Sequence, residues 1–225
     1  MTTITISRQY GSGGDEVAQR VAELLGYRLF DKRLIAQAAA DSGLWHQEIS
    51  EYSEDNHKVR GFLDRLLNRV PTVAQANVWH ETADGTRVVE EVKVSEDLAV
   101  TLVEKAIRAA HTMGSIIIVG RGGQVVLRDE TDVIHVRIEA PMEERIARIK
   151  TQLRQDRQSY NADIEPRREA QDRIIERDEA SADYLTGFYN VKWNDPLLYH
   201  VVLNTGKLSV SQAAEMIASL AREKA

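Results

Sequence analysis

The sequence predicts an α/β protein, a five-stranded parallel sheet with helices on both faces. Five short β-rich runs alternate along the chain with helically patterned segments, the rhythm of parallel strands joined by crossover helices. One of these runs, SIIIVG at 115–120, is the most apolar, as expected of a central strand covered on both faces. The chain also opens with a strand, a glycine loop and a helix in direct succession, ITISRQYGSGGDEVAQRVAELLG over residues 4–26.

The first strand is expected at 3–7. A helix over about 15–25 follows, with Val17, Val21, Leu24 and Leu25 on one face and Gly26 as its stop. YRLF at 27–30 is a short second strand ending at Asp31, and an apolar-faced helix follows over 32–42. Residues 44–70 are polar and helical in tone, and 78–92 form a hairpin around Asp84-Gly85. This middle block interrupts the strand–helix rhythm, so 44–95 is expected to be an insertion on a single 225-residue core. Ser95 with Glu96 and Asp97 opens the next helix. After the central strand, DVIHVRI (132–138) is the fourth strand, and Pro141 takes the first position of a long helix. YHVVLN (199–204) is the fifth strand, and Ser209 with Gln212 forms a capping box for the last helix.

Composition narrows the function classes. The chain is 43% hydrophobic and 28% charged with net charge −6, which suits a packed core and argues against disorder. That balance also argues against nucleic acid or an anionic membrane as the main partner, so any phosphate site is local. There is no Cys, which excludes disulfides and thiolate metal sites. No segment approaches the ~18 consecutive apolar residues of a membrane span, and the expectation is a soluble cytoplasmic protein.

The opening loop is the main chemical feature. Gly11, Ser12, Gly13 and Gly14 lie where backbone N–H groups and the positive end of a helix favour an anion, and phosphate is the expected ligand. Asp15 and Glu16 start the helix. They either complement its dipole or help to hold Mg²⁺, which prefers hard oxygen ligands. Residues 141–177 carry eight Arg, among them Arg145, Arg148, Arg173 and Arg177, and eight Asp and Glu. Such mixed charge forms either a solvated helix face or a cationic lid that stabilises phosphoryl transfer. The six His show no metal spacing, and there is no G-x-S-x-G elbow.

Several stretches together resemble the cytidylate kinase-like branch of the nucleoside monophosphate kinases. They are ISRQYGSGG (6–14), LGYRLFDKRLI (25–35), IIIVGRGG (116–123), EAPMEERIARI (139–149), RIIERDEASADY (173–184) and LNTGKLSVSQAAEMI (203–217). The resemblance implies sheet order 2-3-1-4-5, a lid over 150–177, a monophosphate-binding region within 44–95, ATP as donor and Mg²⁺ as cofactor. Against the lysine-bearing loop of those kinases, Gly14 stands in the Lys position and Glu16 in that of the Thr that touches Mg²⁺.

By the same resemblance Arg8 is the candidate for the lost lysine, its alternative being a structural ion pair. Tyr10 either orders the loop or packs. Asp31, with Lys32 or Arg33, faces the acceptor monophosphate or is an ordinary helix cap. Arg121 of GRGG binds the acceptor, while Gly122 replaces the Asp of the cytidylate kinases' GRD. Arg177 and Asp178 are kept from RDxxDxxR, whereas Ser181 and Tyr184 are not the Asp and Arg of that pattern. Thr205, Gly206 and Lys207 border the adenine. The implied function is transfer of the ATP γ-phosphoryl to CMP or a similar small acceptor, and the alternative is an inactive nucleotide-binding or interaction module. Residues 44–95 could instead dock a partner or a second copy of the chain.

Overall fold

The computed structural model describes residues 2–30, 74–81, 87–94, 96–156 and 166–224. The expected helix over 32–42, the block to residue 70, the turn at Asp84-Gly85, and Asp31, Lys32, Arg33 and Ser95 lie outside them. The chain forms two compact units, residues 1–30 with 113–225 and residues 31–112.

The first unit contains β1 (Thr3–Arg8), α1 (Gly14–Leu25) and β2 (Arg28–Leu29). The second contains an antiparallel hairpin of β3 (Ala74–Glu81) and β4 (Arg87–Val94), paired from Ala74 opposite Val94 to Glu81 opposite Arg87, and helix α2 (Glu96–Met113). The first unit continues with β5 (Ile116–Val119), α3 (Gly123–Val126), β6 (Val133–Glu139), α4 (Met142–Asp156), α5 (Pro166–Tyr189), β7 (Val201–Asn204) and α6 (Val210–Lys224).

The large sheet is parallel, in order β2-β5-β1-β6-β7. That is 2-3-1-4-5 among the five expected strands; β1 rather than SIIIVG (β5) is the central strand, and β5 is an interior strand between β2 and β1. Local chemistry sets the ends of the helices. Gly26 closes α1 in a left-handed conformation, φ 67°, its N–H donating to the Ala22 carbonyl. Ser209 and Gln212 exchange hydrogen bonds at the start of α6, 2.9 and 3.2 Å long. Pro141 stands one residue before α4 rather than at its first position. Its carbonyl accepts the Arg145 N–H at 3.1 Å, the bond that opens the helix. The short helix α3 has no forewarning in the sequence reading.

Side chains alternate across a strand, and the two faces of this sheet differ. Ile4, Ile6, Ile134, Val136 and Ile138 form an apolar core with Val17, Ala18 and Val21 of α1 and Ala213, Ala214 and Ile217 of α6. On the opposite face Thr3, Thr5, Ser7, His135 and Arg137 are all buried. Arg137 is 2% exposed, its guanidinium 4.4 Å from the Trp193 ring centroid. It donates to Glu139 at 2.5 Å and to the Trp193 carbonyl at 2.8 Å. Trp193 Nε1–H in turn donates to Ser7 Oγ at 2.8 Å. The buried charge is thus paired, hydrogen-bonded and stacked, as its burial requires. Among the described residues no helix is long and apolar enough to cross a membrane.

Candidate active site

Open parallel sheets bind ligands beyond the carboxyl ends of their strands, and the glycine loop leaves the carboxyl end of the central strand β1. Gly11 and Gly13 both have positive φ, 77° and 78°, a conformation that a side chain would strain. Gly13 is the N-cap of α1, with no side-chain cap. The first N–H groups of this twelve-residue helix therefore face the loop without intrahelical partners. Ser12 lies fully buried inside the turn, and its Oγ has no hydrogen-bond partner.

Two neighbouring elements strap the loop in place. From α4, Arg148 donates to the Gly11 carbonyl at 3.4 Å, and to Thr205 Oγ1 and O at 3.2 and 2.8 Å. Thr205 Oγ1 donates to the Ser12 carbonyl at 2.5 Å. Arg145, one turn earlier and 5% exposed, pairs with Asp178 of α5 at 2.5 Å and reaches the Tyr10 carbonyl at 3.3 Å. Asp178 also accepts the Tyr10 N–H at 2.8 Å. The Arg177 guanidinium stands 5.9 Å from the centre of the Tyr10 ring. A Cβ on Gly11 would lie 3.0 Å from Ile149 and 3.2 Å from the Arg145 carbonyl, so this turn is glycine for packing as well as for φ.

The structure thus gathers Arg8, residues 11–16, Arg145, Arg148, Arg177, Asp178 and Thr205 around one turn. Arg8 pairs with Asp15 at 3.0 Å. Glu16 is exposed, and its Oε2 would be 3.9 Å from a Cβ on Gly13. Gly206 and Lys207 form a tight turn beside Thr205, their N–H groups donating to the Asn204 side chain and carbonyl at 2.8 and 3.0 Å.

Arg173 sits apart from this group, exposed and paired with Glu169 one turn earlier on α5 at 2.9 Å. Arg167 likewise pairs with Glu143, and its hydrogen bond lowers the carboxyl's pKa. Arg121 follows β5 with a left-handed backbone, φ 60°, and its guanidinium is 5.3 Å from the Phe30 ring centroid. Left-handed non-glycine residues concentrate at functional sites. Beside it, a Cβ on Gly122 would lie 3.0 Å from Tyr189 and 3.5 Å from Leu185 and Tyr184. The room for a side chain at 122 is thus limited chiefly by the Tyr189 ring, with Tyr184 and Leu185 in ordinary contact beside it.

Sequence reasoning missed Arg137, Glu139, Trp193 and Tyr199, which lie under Ser7 next to Arg8. The signal was the alternation of polar with apolar residues in TITIS and VIHVRIE.

A sequence profile of the cytidylate kinase-like family matches residues 3–207. No curated protein matches the chain. Among solved structures, an uncharacterized protein from Eubacterium ventriosum ATCC 27560 aligns with TM-score 0.60 at 19% identity, covering 99% of both chains. TT1252 from Thermus thermophilus aligns with TM-score 0.49 at 15% identity over 99% of this chain and 97% of its own. Shikimate kinase from Acinetobacter baumannii in complex with shikimate aligns at 0.44 and 14% identity, over 99% and 94%.

Proposed function

The chain belongs to the cytidylate kinase-like family, and from that premise we propose that it transfers the γ-phosphoryl group of ATP to a CMP-like nucleoside monophosphate or a related small acceptor. One observation carries this reading: the glycine loop at residues 10–14 stands at the N-terminus of α1 and is fixed from outside by Arg145, Arg148, Asp178 and Thr205. A turn so fixed, at the positive end of a helix, is preorganised for a polyphosphate.

In this proposal Gly11–Gly14, with Ser12, cradle the donor phosphates. Thr205, Gly206 and Lys207 border the adenine. Arg8, Arg145, Arg148, Arg173 and Arg177 supply positive charge as it is needed through transfer. By the family resemblance, Arg121, Asp178, Asp31 and Arg33 serve the acceptor, 44–95 supplies the monophosphate-binding region, and 150–177 is the lid. The acceptor oxygen bonds to the γ-phosphorus as the bond to the bridging oxygen breaks, and the electron pair leaves with ADP.

The residues present also fit a hard cation. Glu16 offers an exposed carboxylate beside Gly13, while Asp15 is taken up by Arg8. Mg²⁺ bound there would neutralise donor oxygens and offset the repulsion between Glu16 and a triphosphate.

Gly14 in place of a lysine favours a second reading, a module that binds nucleotide without turnover. Phosphorus NMR of the purified chain with Mg-ATP and a panel of nucleoside monophosphates separates the two. The proposal expects ADP and a nucleoside diphosphate to appear together, and Arg121→Ala to raise the acceptor KM. No transfer to any acceptor above a protein-free control would leave the second reading.

A further inference from the structure

Two glycines frame the Arg8 side chain. A Cβ on Gly14 would fall inside van der Waals contact of Arg8 Cβ and lie 2.8 Å from its Cγ. A Cβ on Gly120 would lie 2.8 Å from Arg8 Nη1. Position 14 is therefore closed to a side chain while Arg8 keeps this path, because the clash falls on the stem of the arginine. Gly120 touches only its tip and is glycine for its own φ of 69°. At the near end of the guanidinium, Nε donates to Asp15 at 3.0 Å. The arginine thus starts at the carboxyl end of the central strand and passes over the first residue of α1. It ends at Gly120, directly before Arg121. Its charge lies between the turn that holds the donor and the turn that carries Arg121.

We infer that Arg8 is the catalytic cation of this site, that Gly14 is glycine in order to admit it, and that Asp15 is a positioning residue that aims it. The inference deepens the phosphotransfer reading above and rests on it. A lysine at position 14 and an arginine at position 8 are mutually exclusive solutions, because their stems need the same space. The missing loop lysine is then a relocation of charge rather than its loss. A guanidinium suits the role from this distance. Its Nε–H can be fixed by Asp15 while both terminal nitrogens face the transferring group, a division of labour that a lysine ammonium cannot make. Asp15 accordingly serves the arginine rather than a metal ion. Arg8 moves no proton in the step, and its charge meets the negative charge spread over the γ-oxygens.

The test has a packing arm and a chemical arm. In thermal melts, Gly14→Ala should lower the melting temperature strongly in the parent chain, and far less in an Arg8→Gly background, where the colliding carbons are gone. Additive effects at the two positions would overturn the shared-space claim. In kinetics, Arg8→Ala should lower kcat by about 100-fold or more, the scale of losing one transition-state cation. Its dissociation constant for ADP, which lacks the transferred group, should stay within about threefold. Asp15→Ala should lower kcat with little change in the donor KM. Asp15→Asn still accepts the Nε–H and should recover most of that loss, which a merely structural role would not predict. A wild-type chain that transfers phosphate well above a protein-free control, yet no faster than Arg8→Ala, overturns the inference alone. One that neither binds ADP nor transfers phosphate overturns the phosphotransfer reading with it.

Discussion

His135 shows how closely a single buried side chain ties this fold to pH. It is 4% exposed, its Nδ1 lies 2.7 Å from the Thr5 hydroxyl, and its backbone N–H donates to His200 Nδ1 at 2.9 Å. Burial first, then the charges of His200 and Lys224, lower its pKa to about 4, only partly offset by the Leu127 backbone. Burial also lowers the pKa of His200. A base whose folded pKa is depressed binds its proton more readily when unfolded. Stability is therefore complete above the unfolded value near 6.5 and is lost as pH falls toward 4. Urea denaturation at pH 7 and pH 5, above the range where most carboxylates titrate, should differ by about 2 kcal/mol in the direction of lower stability in acid. A flat profile across that interval would contradict the burial of a neutral imidazole. In the sequence it is one of six His without metal spacing, set in the expected strand DVIHVRI. That much followed from pattern, but its partner His200 lies 65 residues away and could not be seen.

At the scale of elements, α4 and α5 are joined to the glycine loop by the buried pair Arg145–Asp178, with both Tyr10 backbone groups attached to it. Removing one member of such a pair strands the other, so Asp178→Ala should cost about 3–5 kcal/mol in equilibrium unfolding. The double substitution Arg145→Met with Asp178→Leu leaves no orphaned charge and should cost less than Asp178→Ala alone. Equal losses would mean that the pair is not the clamp described. Arg148→Ala removes three hydrogen bonds that fix Gly11 and Thr205. It should raise the donor KM more than it lowers the melting temperature, read by initial-rate kinetics beside a melt. Much of this level was legible. The Gly26 stop, the Ser209–Gln212 box and the five strands are local signals, written in residues a few positions apart. Helix α3 was not, because four residues of GQVV carry too little periodicity. The Arg137 cluster was not either, because it assembles residues 7, 137, 139, 193 and 199 from separate segments.

For the molecule as a whole, the parallel sheet follows from the strand–helix rhythm and the glycine loop from its place between strand and helix, whereas the order 2-3-1-4-5 came with the family resemblance. The site was legible as a set of residue types but not as an arrangement. Sequence placed Arg145 and Asp178 in chemistry, whereas the fold also uses them to hold the loop. Sequence could only offer Arg8 as a substitute for lysine, whereas the fold supplies the reason in the space it shares with Gly14. The account as a whole depends on that loop receiving a polyphosphate. Calorimetric titration of the intact chain with Mg-ATP, and in parallel with adenosine, tests this most directly. The account predicts saturable one-to-one binding of ATP that weakens as salt rises, and little or no heat from adenosine. Equal heats from the two, or none from ATP, would contradict it.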